Sequence, residues 1–297
     1  MSANGLRIAA APYAVGRAQG WDDFAARVHG YAARAANEGA RILVLPEYAA
    51  LDLGVNQPDA VRGDLAASCG ALQAVLPDYR AFHSELARTR GLWVVAGTFP
   101  VALDSGGYAN RAYIYSPGGI EHVQDKLLLT RYERMSGVFR AGSGLRVFEA
   151  DFGRFGVNVC YDSEFPLLAR AQAEAGATLL LVPSCTDTPQ GASRVRIGCQ
   201  ARALENQVAV LQVPLLGEAP WSPCVDVNVG AAALYGPPDV GMPANGILAE
   251  GGWNDDGLLV VEVPLQRIQS LRRHGHVANY ADWPAQAGQS IELIPAE

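Results

Sequence analysis

Two short segments constrain this chain more than anything else in it. Glu38-Gly-Ala-Arg-Ile-Leu-Val-Leu-Pro46 and Ala175-Gly-Ala-Thr-Leu-Leu-Leu-Val-Pro183 share one plan: a helix end, a glycine, an apolar run of strand length, then proline. A strand with no polar alternation has no face to offer water, so each must be covered on both sides. Helices stacked on a sheet satisfy that demand; an all-helical bundle or a one-sided antiparallel sheet does not. Any helix–Gly–strand connection has this look, so the echo alone does not establish a duplication.

The rest of the chain alternates in the same way. A strand is expected over 6–11. A helix follows over 21–37, with Phe24, Val28, Tyr31 and Ala35 at helical spacing and Asp22 and Asp23 at its positive end. A second helix over 77–90, closed by Gly91, leads into a strand over 92–98. The middle is richer in strands, expected over 111–116, 120–126, 145–149 and 154–160, with a hairpin turn at Asp151-Phe-Gly153. Helices over 166–174 and 192–206 alternate with strands over 177–182 and 208–213; strands over 230–235 and 258–263 and a short helix over 265–273 follow. No linker or charge block divides the chain, which predicts one α/β domain over 1–273 and a tail over 274–297.

Composition narrows the function. Of 297 residues, 49% are apolar and only 18% charged, below the roughly 25% of an average soluble domain. Such sparse charge suggests surface covered by a partner subunit. The 23 Lys and Arg against 30 Asp and Glu give −7, without a basic half to meet nucleic acid or an anionic membrane. The N-terminus lacks a charged segment leading into a sustained apolar one, and Pro12 interrupts the only candidate, so no secretion signal is expected. No apolar run reaches the ~18–20 residues that span a bilayer. The chain reads as a cytoplasmic protein. Its cysteines, at 69, 160, 185, 199 and 224, are odd in number and show neither C-x-x-C spacing nor a His/Cys metal box. Cys69, Cys199 and Cys224 read as small buried hydrophobes.

Cys160 is different. In Gly156-Val-Asn-Val-Cys160-Tyr-Asp-Ser-Glu-Phe-Pro166 it stands where a buried strand stops before a helix, the edge at which α/β folds collect their sites. A helix N-terminus there is expected to favour the thiolate. A thiol nucleophile needs a base, usually His. His29 and His83 fall in expected helices, His274 and His276 in the tail and His122 on a strand, and none demands a Cys–His pair. A carboxylate serves equally: Glu47 ends the other echoed strand, beside apolar surface that raises its pKa toward that of a useful base. Lys126, at a strand end before an apolar triplet, offers an ammonium to stabilise an oxyanion and lower the thiol pKa.

Glu47, Lys126 and Cys160, in that order, resemble the nitrilase superfamily of carbon–nitrogen hydrolases. The blocks are LVLPEYAALDLG (43–54), QDKLLLTRYE (124–133) and GVNVCYDSEFP (156–166), supported by AGATLLLVPS (175–184) and RIGCQARALENQ (196–207). The likeness runs over about residues 5 to 265. It implies a four-layer α-β-β-α sandwich, commonly paired as a homodimer, and a thiol hydrolase needing neither metal nor cofactor. By the same resemblance Cys160 is the nucleophile, Glu47 the general base and acid, and Lys126 the oxyanion stabiliser. Glu133 is then the second glutamate that positions the lysine, and the Tyr161 backbone N–H the other oxyanion donor.

The residues after the nucleophile sort branches of the superfamily. Cys160-Tyr161-Asp162 resembles the amidase-type branches, whereas nitrile-cleaving members more often carry Cys-Trp-Glu. The expected substrate is therefore a small non-peptide amide or N-carbamoyl compound. A nitrile, or transfer of the thioester's acyl group to a soluble acceptor, is the alternative, and a non-catalytic partner-binding protein the least favoured. Where members acting on small acids often carry Arg before Phe-Pro, this chain has Glu164, compatible with a neutral or amine-bearing substrate. The bland alternative is that Glu164 caps the helix at Pro166. Adjacency adds Tyr48, Tyr132, Asp162, Ser184, Cys185 and Thr186 as substrate-facing candidates.

Overall fold

The computed structural model describes residues 5–295; the first four and last two residues, parts of the terminal segments read above, lie outside it. The chain opens with β1 (Leu6–Ala10), β2 (Tyr13–Val15), α1 (Trp21–Asn37) and β3 (Ile42–Val44). Then come α2 (Asp59–Arg62), α3 (Leu65–Leu72), α4 (Leu76–Arg90), β4 (Trp93–Ala102), β5 (Tyr108–Tyr115) and β6 (Glu121–Asp125). The middle holds α5 (Arg131–Ser136), β7 (Phe139–Arg140), β8 (Val147–Ala150), β9 (Gly153–Val157), α6 (Pro166–Glu174) and β10 (Ala177–Ser184). Next are α7 (Pro189–Asn206), β11 (Ala209–Glu218), β12 (Val227–Asn228), β13 (Ala233–Tyr235) and β14 (Ile247–Glu250). The last elements are β15 (Leu259–Val263), α8 (Leu265–His274) and α9 (Asn279–Asp282).

The strands form two sheets of matching plan. The first runs β15-β1-β3-β4-β5-β6 and the second β8-β9-β10-β11-β13-β14. In both, the second, third and fourth strands are parallel and the outer ones antiparallel. The echoed segments β3 and β10 are each the third strand, so the likeness extends beyond a helix–Gly–strand junction to the whole sheet order.

Burial follows the period of a strand. Ile42 and Val44 point into the core shared with the second sheet, whereas Leu43 and Leu45 meet Phe24 and Val28 of α1 and Leu86 of α4. The second sheet packs its other face on Ala169 and Ala173 of α6 and Val195, Cys199 and Ala203 of α7. Helix, sheet, sheet and helix make the four-layer sandwich expected from the resemblance. Past α8 the chain packs on the body at Tyr280, whose ring lies under the Arg170 and Arg272 guanidiniums, 4.6 and 4.3 Å from its centroid. Among the described residues no helix is long and apolar enough to cross a membrane.

Candidate active site

The carboxyl ends of β3 and β9 meet where the two sheets abut, and β6 delivers its own end to the same point. Glu47 follows β3. Its turn is set by β4, where a bulge between Val95 and Thr98 lets Gly97 adopt φ 74° and the Thr98 hydroxyl accept the Tyr48 N–H at 2.9 Å. A Cβ on Gly97 would stand 2.2 Å from the Pro46 carbonyl oxygen, so only glycine lets the two segments approach this closely. Tyr48 takes the left-handed conformation (φ 61°), as does Cys160 (φ 48°) in a 3-10 turn over Cys160–Glu164. Both turns that present reactive groups therefore hold a non-glycine residue in a strained region. The turn around Cys160 rests on α7 at Gly198, where a Cβ would come within 3.0 Å of the Ser163 carbonyl oxygen.

Lys126 is buried to 1% exposure. Its Nζ donates to Glu47 Oε1 at 2.8 Å and to Glu133 Oε1 at 2.9 Å. Glu133 sits in the first turn of α5, where it forms a reciprocal capping box with Thr130. Its Oε2 accepts the Thr130 N–H and hydroxyl at 2.7 and 2.9 Å, and its Oε1 also accepts the Tyr48 hydroxyl at 2.8 Å. Asn110, on β5, completes the cluster by donating through Nδ2 to Glu47 Oε1 at 2.8 Å and Glu133 Oε1 at 3.2 Å. The Cys160 thiol donates to the Cys185 carbonyl at 3.4 Å.

Electrostatics assigns the charges. Burial alone would lower the Lys126 ammonium, but Glu47 and Glu133 hold it well above its ordinary value. Burial alone would raise Glu133, but Lys126 and the capping hydrogen bonds keep its carboxyl below the usual range. Glu47 moves upward, chiefly through burial and against the pull of Lys126. Burial, with Glu47 adding to it, also pushes the Cys160 thiol up. The expectation that a helix N-terminus and Lys126 favour a resting thiolate is corrected: α6 begins only after the 3-10 turn, and desolvation outweighs the lysine. The thiol is thus pushed toward its protonated form, beside a Glu47 carboxyl that is itself pushed up.

A cleft of about 570 Å³ opens onto this cluster. Tyr48, Tyr132, Tyr161, Cys185 and Thr186 line it as expected. Two candidates do not. Ser184 is buried within β10 and its hydroxyl donates to the Val213 carbonyl at 3.3 Å. Asp162 is buried and its carboxylate turns away to accept the Leu128 and Leu127 N–H groups at 2.8 and 3.2 Å. Glu164 lines the cleft, with Arg194 at 4.0 Å, and makes no capping hydrogen bond to α6, so the capping alternative is corrected. Cys224, read as buried packing, is half-buried in the cleft wall. His122 packs on Trp93, with ring centroids 6.2 Å apart. Among the described residues no group of three or more His, Cys, Asp or Glu is arranged to hold a metal ion.

Asn110 is the site residue that sequence reasoning missed. It lies just before the strand expected over 111–116, which the structure begins earlier, at Tyr108.

The chain matches the carbon-nitrogen hydrolase family over residues 8–273. It is 29% identical over 281 residues to a probable hydrolase, YhcX, of Bacillus subtilis, a match covering 95% of this chain and 54% of that protein. The chain thus spans about half the length of that relative. It is 27% identical over 201 residues to the omega-amidase NIT2-B of Xenopus laevis, covering 64% of this chain and 67% of that one. An amidase from Nesterenkonia sp. AN1, solved as a mutant showing the result of Michael addition of acrylamide at its active-site cysteine, superposes with a TM-score of 0.68. That match is at 25% identity and covers 90% of this chain and 96% of the amidase. With the sandwich, the order of the blocks and a family match over nearly the whole chain, this protein belongs to the carbon–nitrogen hydrolase family.

Proposed function

We propose that this protein hydrolyses the C–N bond of a small non-peptide amide or N-carbamoyl compound through a thioester on Cys160. The observation that carries the reading is the convergence of Lys126 with Glu47 and Glu133 beside the Cys160 thiol, at the base of an open cleft. Glu47 takes the thiol proton as sulfur attacks the carbonyl carbon, and the developing oxyanion is held by the Lys126 ammonium and the Tyr161 N–H. Glu47 returns that proton to the nitrogen as the C–N bond breaks, releasing ammonia or an amine. A water then gives a proton to Glu47 and its hydroxide to the thioester carbonyl. Breakage of the C–S bond and return of the proton to sulfur regenerate the site. Glu133 and Asn110 hold Lys126 and Glu47 in register and take no proton.

The relatives named amidase or omega-amidase favour an amide over a nitrile. Glu164 at the cleft wall favours a neutral or amine-bearing substrate over an anionic one, because a second carboxylate there meets like charge. The reading includes a cytoplasmic homodimer. Leu167 on α6 and Ile197 and Leu204 on α7, two helices in contact, leave exposed apolar side chains that support pairing with a second copy.

Incubation with amides, N-carbamoyl amines and nitriles, reading ammonia release, tests the substrate class. Turnover is expected with an amide or carbamoyl compound, with an acyl adduct on Cys160 by mass spectrometry and none in Cys160→Ala. Unchanged turnover in that variant, or an adduct confined to Cys185, refutes the mechanism.

A further inference from the structure

Asp162 presents a problem that the mechanism leaves unsolved. It lies two residues after the nucleophile, is 2% exposed, and does not line the cleft. Its carboxylate accepts the N–H groups of Leu127 and Leu128, the two residues directly after Lys126. Among the described residues no cationic side chain pairs with it within salt-bridge distance, although Lys126 acts on it through space. Its backbone is committed to the turn around Cys160: its N–H donates to the Val159 carbonyl at 3.0 Å and its carbonyl accepts the Phe165 N–H at 3.2 Å.

The connection crosses the sandwich. Lys126 follows β6 of the first sheet, whereas Cys160 comes after β9 of the second. The Lys126 backbone is also tied through its N–H to the Asn110 carbonyl at 2.9 Å and through its carbonyl to the Gly142 N–H at 2.8 Å. Both of those ties leave the lysine unregistered against the nucleophile's turn. The carboxylate of Asp162 supplies that registration, with two charge-assisted hydrogen bonds from a turn rigidly continuous with Cys160.

We propose that Asp162 is a positioning residue, fixing the Lys126 ammonium at its working distance from the Cys160 nucleophile. The proposal rests on the roles given above to Lys126 and Cys160. Holding an ionised carboxylate in this place works against the fold. Burial pushes Asp162 up to about 6, although the Leu128 and Leu127 N–H groups and Lys126 act the other way and Glu47 adds to the rise. A group kept for stability alone would not be one whose charge the fold resists. What its charge does supply is two acceptors for adjacent N–H donors, which a neutral amide cannot match because its NH₂ would face one of them.

Asp162→Asn in the full-length protein tests this, with kcat and KM measured on the best substrate found and thermal unfolding in parallel. The expected result is a kcat lower by about 100-fold, since an ångström of misplacement costs about that much. KM is expected to stay within about threefold and the midpoint within about 3 °C. Asp162→Glu, which keeps both acceptors, is expected to recover part of kcat. A kcat within about threefold of wild type in Asp162→Asn overturns the proposal. So does a loss of kcat accompanied by a comparable loss of folded protein. If Asp162→Asn does not fold, Asp162→Ser, whose one hydroxyl cannot serve both N–H groups, decides instead: a kcat at least about fivefold lower at unchanged KM supports positioning, and wild-type kcat overturns it. Activity surviving in Cys160→Ala removes the underlying mechanism. An inactive Cys160→Ala beside a fully active Asp162→Asn removes only the role of Asp162.

Discussion

Replacing Glu133 by Gln removes one charge while keeping the shape of the site. Five donors converge on that carboxylate: Lys126 Nζ, the Tyr48 hydroxyl, Asn110 Nδ2, and the N–H and hydroxyl of Thr130. Gln offers one acceptor oxygen, and its NH₂ must face donors on the other side. Breaking a buried pair by removing one partner costs about 3–5 kcal/mol. At about 2.1 cal/mol/K per residue, unfolding 297 residues carries an entropy of about 0.6 kcal/mol/K, so the midpoint should fall by about 5–8 °C. Lys126 then keeps only Glu47 as a charged partner, and kcat is expected to fall by about 10²–10³-fold.

The pH dependence gives the sharper check. Because the folded Glu133 carboxyl is held below its ordinary 4.5, its contribution to stability is full above about that pH and is lost as pH falls through the lower folded value. The midpoint gap between wild type and Glu133→Gln should therefore be widest near pH 7 and narrow progressively as pH falls below about 4.5. Glu133 also helps to raise Glu47, so neutralising it lowers the base, and the residual activity should persist to lower pH. Calorimetry at pH 7 and pH 3.5, with a pH–rate profile, measures all three effects. A midpoint within about 1 °C of wild type at pH 7, or a gap unchanged at pH 3.5, refutes the reasoning.

Four further substitutions probe the turn, the cluster and the assembly. Gly97→Ala places a Cβ 2.2 Å from the Pro46 carbonyl oxygen at φ 74°, so it should displace the turn bearing Glu47 and cut kcat by about 100-fold. Gly30→Ala, in α1 with nothing within 4 Å, is the control and should gain about 0.5–1 kcal/mol by chemical denaturation; wild-type activity in Gly97→Ala refutes the account of that turn. Asn110→Leu removes the donor shared by Glu47 and Glu133 and also an Oδ1 that is buried without a partner. Activity should fall by about tenfold with little change in midpoint, and a large destabilisation without loss of kcat contradicts the positioning role. Sedimentation at micromolar concentration should show a dimer that Leu204→Glu weakens; a stable wild-type monomer refutes the proposed assembly.

The strands β3 and β10 were legible because an unbroken apolar run admits only a doubly covered place in a sheet. Helices α1 and α6 match the expected bounds because Gly39 and Pro166 punctuate them. Glu47, Lys126 and Cys160 were legible because each stands where such a run stops. The helices over 59–72 were not, although Asp64 caps the second of them by accepting the Ala67 N–H at 2.8 Å. Adjacency along the chain also failed to say which way a side chain turns, which is why Ser184 and Asp162 were misplaced as cleft residues. Asn110 escaped because its meaning depends on β5 lying beside β6, a pairing that no local pattern of Tyr108-Ala-Asn-Arg111 reveals. Cys224 reaches the cleft only through the loop after β11, and its local sequence carries no strand or helix period to place it.

The matching plans of the two sheets explain why the site lies between them. The carboxyl ends of the parallel strands meet at the seam, where the first sheet presents Glu47 and the second Cys160. Neither sheet alone holds a working set, because Glu47, Glu133 and Lys126 come from the first half of the chain and Cys160 from the second. The arrangement concentrates cost at the seam: two left-handed residues, Tyr48 and Cys160, and buried charges at Glu47, Lys126, Glu133 and Asp162. These costs persist because the flanking segments are fixed by features remote from the chemistry. Gly97 admits the Pro46 carbonyl, Gly198 admits the Ser163 carbonyl, and the apolar layers hold both sheets rigid. A change in those buried glycines should therefore act on catalysis without touching a reactive group, whereas filling the exposed Gly30 should not.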